Sequence, residues 1–391
     1  MLSRFGQGLI GLSTAALLIG CATTETKADL MGSLIADGKP RQQRLSSPPA
    51  GIRDKPAASA AAAGRGAITF SFHAFGDSGW AQTHVSRPVY NQGFWRAYGQ
   101  FDPNRALLGD VNYINWETSV GKSCDAFWSA PSSSTYAFLS RPEDLVDAIR
   151  LGFNLVGLAN NHSFDCLRSA EGLGPLQTYA HIEAIRRQLT SPAPAPATPS
   201  QSPPLLPLFS GVAPQPDQEP ASGTLRGRDG QEIPLTFLSA YVGGDPEHCR
   251  HIICDKGLEQ YQAKLANQRG LRVLALHSWD KGSHARLKAI LQSWLQRGLV
   301  DVAIGSGPHI AEDVRVVTTP KGPGVLATSL GNFIHPSLSS QPYNIALLTN
   351  WQLQPASGRV QLLQARRTII GCDGETCRRG RTDTLWSARA R

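Results

Sequence analysis

Six short β-prone runs, each closed by a side chain able to bind a metal or move a proton, constrain this chain more tightly than any other feature of it. The run 68–72 leads to Gly76-Asp77, 111–114 to Asn115-Trp116-Glu117, and 153–158 to Asn160-Asn161-His162. Further on, 272–276 leads to His277, 300–304 to Pro308-His309, and 324–328 to Gly331-Asn332. Runs of this length bounded by Gly and Pro are expected to be strands. Between them, helical spacing of apolar residues runs over 142–151, 176–189, 258–268 and 284–297. Strands alternating with helices predict an α/β fold, in which ligands gather beyond the carboxyl ends of strands. Any one of these polar residues has an ordinary use: Asp77 capping a turn, His162 satisfying a buried carbonyl, Asn332 adopting a left-handed turn conformation. Their recurrence at one kind of position points to a site.

Composition divides the 391 residues further. Arg4, an apolar run over 9–19 and Leu18-Ile19-Gly20-Cys21 open the chain. A membrane-spanning helix needs about 20 apolar residues, so residues 1–20 read as a cleaved secretory signal. Leu-x-Gly-Cys resembles a lipobox, in which Cys21 is acylated and becomes the new N-terminus. Ala22 rather than Asp after it resembles the pattern that sends lipoproteins to an outer membrane. Residues 21–66, rich in Ala, Pro and Ser, read as a tether. The prolines crowded into 191–207 exclude helix and central strand. Because related motifs flank it, that segment reads as a loop inside one domain, 67–370. Residues 371–391, with Arg378, Arg379, Arg381, Arg389 and Arg391, read as a solvated basic tail. The formal net charge of +8 does not by itself make a nucleic-acid binder. The aromatic residues do not interleave with the basic ones as a stacking platform requires.

With Cys21 acylated, six of the seven cysteines remain. An even number in an oxidising compartment predicts disulfides. Six cysteines admit 15 full pairings, but Cys249/Cys254 and Cys372/Cys377 are close enough for local loops, which leaves Cys124 with Cys166. A four-thiolate zinc site wants tighter pairs than these.

Asp77, Glu117, Asn161, His277 and His309 form a mixed oxygen and nitrogen set without thiolate, suited to Mn, Fe, Zn or Mg. A divalent ion so held polarises a phosphoryl or carbonyl oxygen and brings the pKa of bound water toward 7. His162, directly after Asn161, is placed to give a proton to a leaving group. In order, Gly76-Asp77, Asn115-Trp116-Glu117, Ala159-Asn160-Asn161-His162 with Asp165, His277 with Trp279, Gly305-x-x-Pro308-His309 and Ser329-Leu330-Gly331-Asn332-Phe333 resemble the motifs of the CapA-type poly-γ-glutamate capsule synthesis family. The resemblance covers roughly 67–370. It implies a fold similar to calcineurin-like metallophosphoesterases, a four-layered αββα sandwich. It also implies Asp77, Glu117, Asn161, His277 and His309 at the metal, His162 as catalytic histidine, and Asn115, Asn160 and Asn332 lining the site. The chain departs from the family at Gly305-Ser306-Gly307-Pro308-His309, where the pattern is Gly-His-His-Pro-His, and at His277-Ser278-Trp279-Asp280, where it is His-Trp-Gly. A serine hydroxyl is a poor substitute for imidazole as a transition-metal ligand, so both one and two ions stay open. Of the other histidines, His73 and His335 are expected nearest the site.

Two functions follow. One is an exported, membrane-anchored, metal-dependent hydrolase that cuts an amide in a poly-γ-glutamate-like envelope polymer, or a phosphoester. The other is a non-catalytic lipoprotein with a degenerate metal site that binds or anchors such a polymer. His162 favours the first; the missing His-His pair favours the second. If Cys21 carries the anchor, Cys21→Ser should move the protein from the membrane to the soluble fraction, as fractionation and immunoblotting would show.

Overall fold

The computed structural model describes residues 66–79, 93–128, 136–190, 206–215, 219–335 and 341–388. The signal segment, Cys21, the tether up to residue 65 and nearly all of the Pro-rich loop lie outside the described residues. In chain order the elements begin with β1 (Ile68–Ser78), α1 (Phe94–Phe101), β2 (Val111–Trp116), β3 (Ser119–Val120), β4 (Ala126–Phe127) and β5 (Leu139–Ser140). There follow α2 (Pro142–Leu151), β6 (Leu155–Gly157), β7 (Cys166–Arg168), α3 (Gly174–Thr190), β8 (Leu208–Ser210), β9 (Ala221–Arg226) and β10 (Glu232–Val242). The remainder comprises α4 (Glu259–Ala266), β11 (Leu271–Ser278), α5 (Lys281–Gln296), β12 (Val302–Ser306), β13 (Val314–Thr319), β14 (Gly322–Ala327), β15 (Gln341–Gln354), β16 (Arg359–Asp373) and β17 (Thr376–Ser387).

A seven-stranded sheet runs β17-β16-β15-β1-β2-β6-β8, and a six-stranded sheet runs β13-β14-β12-β11-β10-β9. In the first, β1, β2, β6 and β8 are parallel, with β15, β16 and β17 as an antiparallel margin. In the second, β10, β11, β12 and β14 are parallel, with antiparallel β9 and β13 at the edges. Phe70, Phe72 and Tyr113 of the first sheet meet Phe237, Val273 and Ile304 of the second in one buried cluster. Helices α1, α2 and α3 cover the outer face of the first sheet through Phe94, Tyr98, Leu145 and Ile182. Helices α4 and α5 cover the second through Tyr261, Leu287, Leu291 and Trp294. The layers are therefore αββα. Central strands buried on both faces lose the alternation of a half-exposed sheet, and every residue of β11 is buried.

Local chemistry sets the helix ends. Pro142 stands at the first position of α2 and Gly152 closes it at φ 119°, where a residue without Cβ meets no penalty. The Asp280 carboxylate accepts the backbone N–H groups of Gly282 and Ser283 at the start of α5, satisfying donors that no helical carbonyl can reach.

Two elements depart from the sequence expectation. Helix α1 has only eight residues, fewer than the window in which helical periodicity can be counted. The C-terminal segment is no solvated tail. It forms β17, paired with β16 from Gln364–Ser387 to Asp373–Thr376, and the fold extends to Ala388, whose N–H donates to the Leu363 carbonyl at 2.9 Å. Its arginines suit an edge strand, where charge discourages further pairing. The disulfides are Cys124–Cys166, Cys249–Cys254 and Cys372–Cys377, the pairing that the spacing suggested. Among the described residues no helix is long and apolar enough to cross a membrane.

At the amino end of β11, the buried Arg272 donates from Nε and Nη2 to Asp301 and from Nη1 to the Gly298 carbonyl. Asp301→Ala leaves that guanidinium without its counter-charge, and removing one partner of a buried pair costs about 3–5 kcal/mol. Urea denaturation should show this loss while metal binding at the other end of the strands is unchanged.

Candidate metal centre

The parallel strands of both sheets deliver their carboxyl ends to one place. The Asp77 N–H donates to the Gly331 carbonyl and the Phe333 N–H donates to the Asp77 carbonyl, both at 2.8 Å, so the loop after β14 is bound to the end of β1. Gly76 makes that approach possible: a Cβ there would lie 1.8 Å from the Gly331 oxygen. The register of β1 against β2 shifts between Ala74 and Asp77, a bulge of the kind that re-aims side chains beside active sites. Gly307 is equally constrained, with φ 118° and a Cβ position 1.7 Å from the Ser278 oxygen. No histidine fits this backbone at 307. The Gly307 N–H instead donates to Asp77 Oδ2 at 3.1 Å.

Asp77, Glu117 and His309 offer ligand atoms that all lie within 4.8 Å of one another. His309 Nδ1 is 3.5 Å from Asp77 Oδ2 and 3.7 Å from Glu117 Oε2. His309 is held at φ 58°, a left-handed conformation that a residue other than glycine adopts where its surroundings impose it. Glu117 is fully buried and neither of its oxygens has a hydrogen-bond partner. Burial pushes its carboxyl well above the usual range, against the pull of His309. An unanswered buried carboxylate is costly, and a divalent cation among these donors answers it. Asp77 is treated differently. Burial pushes it up, but the hydrogen bond from His309 and the nearby His277 outweigh this and hold it at about 2. Burial pushes His309 down, while the Glu117 charge and the bond to Asp77 more than reverse this and bring it to about 9.

The other expected ligands stand beside this group. His277 Nε2 meets Asn161 Oδ1 at 2.7 Å and lies 3.3 Å from Glu117 Oε1. Its Nδ1 meets Ser306 Oγ at 2.8 Å. Ser306, which the sequence offers only as a lost imidazole, thus orients His277. Asn115 Nδ2 donates to Asp77 Oδ1 at 2.8 Å, and Asn332 Oδ1 lies 2.9 Å from His309 Nδ1.

Asn160, expected to line the site, has its side-chain atoms engaged within the protein. It is fully buried, donates from Nδ2 to the Trp116 carbonyl at 2.9 Å, accepts from Ser163 Oγ at 3.0 Å, and caps the short 3-10 turn Asn161–Phe164. That turn presents His162. Asp165 Oδ2 takes His162 Nδ1 at 2.7 Å and the Phe138 N–H at 2.6 Å, so Nε2 is the nitrogen left for proton exchange. Cys166, next to Asp165, is bridged to Cys124, which ties the His162 loop to the loop after β3.

Of the two remaining candidates, His73 does not reach the site: its Nδ1 meets the Leu107 carbonyl at 2.7 Å. His335 does, and burial holds it neutral, at about 3. Sequence reasoning missed the Gly307 N–H, because a backbone donor leaves no side-chain signature.

No family model matches the chain, and no curated protein matches it. Among solved structures it is similar to a crystal structure described as that of a novel phosphatase, from Mycoplasma pneumoniae. The identity is 14%, the TM-score 0.40, and the match covers 78% of this chain and 95% of that one.

The titrations give a test. A histidine raised from 6.5 to about 9 contributes stability that is fully present below 6.5 and lost as pH rises through about 9. An aspartate depressed from 3.8 to about 2 contributes stability present above 3.8 and lost as pH falls through about 2. Thermal melts of metal-free protein should therefore show stability falling between pH 6.5 and 9, and His309→Gln should flatten that slope.

Proposed function

We propose that this chain is a metal-dependent hydrolase of the phosphoesterase type, exported and lipid-anchored through Cys21. Its substrate would be an envelope polymer of the poly-γ-glutamate kind, or phosphoester groups of such a polymer. The observation that carries the reading is the Glu117 carboxylate, buried without a hydrogen bond against Asp77 and His309, with the His162–Asp165 pair on a neighbouring loop. An ion held by Asp77, Glu117 and His309 supplies Lewis acidity toward a phosphoryl or carbonyl oxygen.

The rest is the work of the chain's own side chains. Asn332 Nδ2 is a buried donor without a partner, suited to an anionic substrate oxygen. Asp165 fixes His162 through Nδ1, so a proton on Nε2 can pass to the leaving oxygen or nitrogen as its bond to phosphorus or carbon breaks. Water adds to that phosphorus or carbonyl carbon before or as the leaving group departs, and a proton from the water restores the imidazole. His277, oriented by Ser306 and Asn161, borders Glu117 and keeps the carboxylate's surroundings polar. The family resemblance of the ordered motifs is what suggests the polymer.

A polymer-binding protein without turnover is the second reading, and the absence of imidazole at 306 and 307 favours it. Metal-loaded protein assayed on aryl phosphomonoesters, aryl phosphodiesters and poly-γ-glutamate separates the two. His162→Ala should keep its metal and lose turnover by about a hundredfold to ten-thousandfold, the range a proton donor contributes. Asp77→Ala should lose both. Metal binding without cleavage of any of these substrates would establish the second reading.

A further inference from the structure

Exposed rings gather at the end of the strands that carries the buried acids. Of the large apolar side chains exposed among the described residues, Trp128, Tyr136, Trp279 and Ile310 adjoin the candidate centre. Trp279 follows β11 directly, two residues after His277, and is 62% exposed. Ile310 follows His309. Trp128 lies against the turn that carries His162: its backbone N–H donates to the Asp165 carbonyl at 2.8 Å, and its ring is 5.7 Å from that of Phe164. The Tyr136 ring is 5.8 Å from Phe138, whose ring packs 4.4 Å from His162. A single exposed indole is ordinary, whereas apolar rings collected around a polar centre mark a ligand surface.

The charges among these rings select the ligand. Asp280 follows Trp279 directly, and Asp245 pairs with His248, whose ring packs 4.8 Å from Trp128. Both acids, with Asp255, bear electrostatically on Tyr241, whose ring is 6.1 Å from His277. Asp255 is answered by Arg286 at 3.0 Å. Asp245 and Asp280 have no Lys or Arg partner among the described residues; they accept backbone, hydroxyl and imidazole donors. Carboxylates repel a chain of carboxylates, so poly-γ-glutamate is a poor occupant of this side. They repel nucleic-acid phosphates equally, and a nucleic acid also needs cations among the rings. A sugar suits both features, since its C–H face packs on the negative face of an aromatic ring and its hydroxyls donate to carboxylates. We infer that the substrate is a phosphorylated glycan, whose neutral pyranose units stack on Trp279 and Trp128 while a phosphoester reaches the metal centre. This rests on the phosphoesterase reading above and replaces its peptide scaffold by a saccharide.

The test compares one ester on different scaffolds. The metal-loaded, detergent-solubilised full chain is given the 6-phosphates of glucose, mannose, galactose and N-acetylglucosamine, then glycerol 3-phosphate and poly-γ-glutamate. At least one sugar phosphate should exceed glycerol 3-phosphate in kcat/KM by about tenfold or more, the scale of one stacked ring. Trp279→Ala should bring that ratio close to one at the metal content of the wild type, and Trp128→Leu should reduce it. Should Trp128→Leu not fold, the exposed Trp279 decides alone. Calorimetry with the same compounds on His162→Ala reads the preference independently of turnover. A preference that both measurements show and Trp279→Ala removes supports the glycan. No preference for any sugar phosphate, an equal loss on all substrates in Trp279→Ala, or cleavage of poly-γ-glutamate ahead of every ester overturns it; the hydrolase reading then stands if any substrate is cut. Sugar-phosphate binding that depends on Trp279, without cleavage of any ester, overturns the hydrolase reading instead and supports sugar recognition.

Discussion

Two carboxylates buried at the ends of adjacent parallel strands set the terms for this molecule. Asp77 and Glu117 are both fully buried, in a medium where an uncompensated charge is far more expensive than in water. Asp77 is compensated by protein: Asn115 Nδ2, the Gly307 N–H and the nearby His309 all favour its charged form. Glu117 is not. Its oxygens have no hydrogen-bond donor, and burial drives it toward the protonated state. That inequality between neighbours distinguishes a site shaped for a cation from a buried polar network that is complete in itself.

The backbone around the two acids is arranged to make this possible. Glycines stand where backbones pass close together, at 76 against Gly331 between the sheets and at 307 against Ser278 between the ends of β12 and β11. A Cβ at either position would collide with the backbone opposite it. The hydrogen bonds between Asp77 and residues 331 and 333 then fasten one sheet to the other, and the Cys124–Cys166 bridge fastens the loop that carries Asp165 and His162. Groups held on rigid strand ends are positioned more closely than groups on free loops.

Much of this was legible beforehand because the relevant patterns are local. A β-rich run closed by a polar residue marks a strand end in any tertiary setting, and Pro142 with Gly152 brackets α2 through φ preferences alone. What resisted reading was non-local. Ser306 looked like a missing ligand until His277 was found beside it. That Asn160 caps the turn presenting His162 was likewise not visible in the sequence. The arginine-rich C-terminus looked like a tail because counting charge does not disclose that β16 runs alongside to pair with it.

The division has a physical basis. Sequence by itself determined the alternation of strands and helices and the inventory of acids, amides and imidazoles, and cysteine spacing suggested the disulfide partners, since these follow from backbone preferences, spacing and side-chain chemistry. Tertiary structure alone decided which of those groups meet: Asp77, Glu117 and His309 together, His277 and Asn161 beside them, Asn160 bonded to the Trp116 carbonyl and His335 within reach of His309 and Asp77. Proximity between residues 77, 117 and 309 is a property of how two sheets twist and pack face to face, and no run of neighbouring residues encodes it.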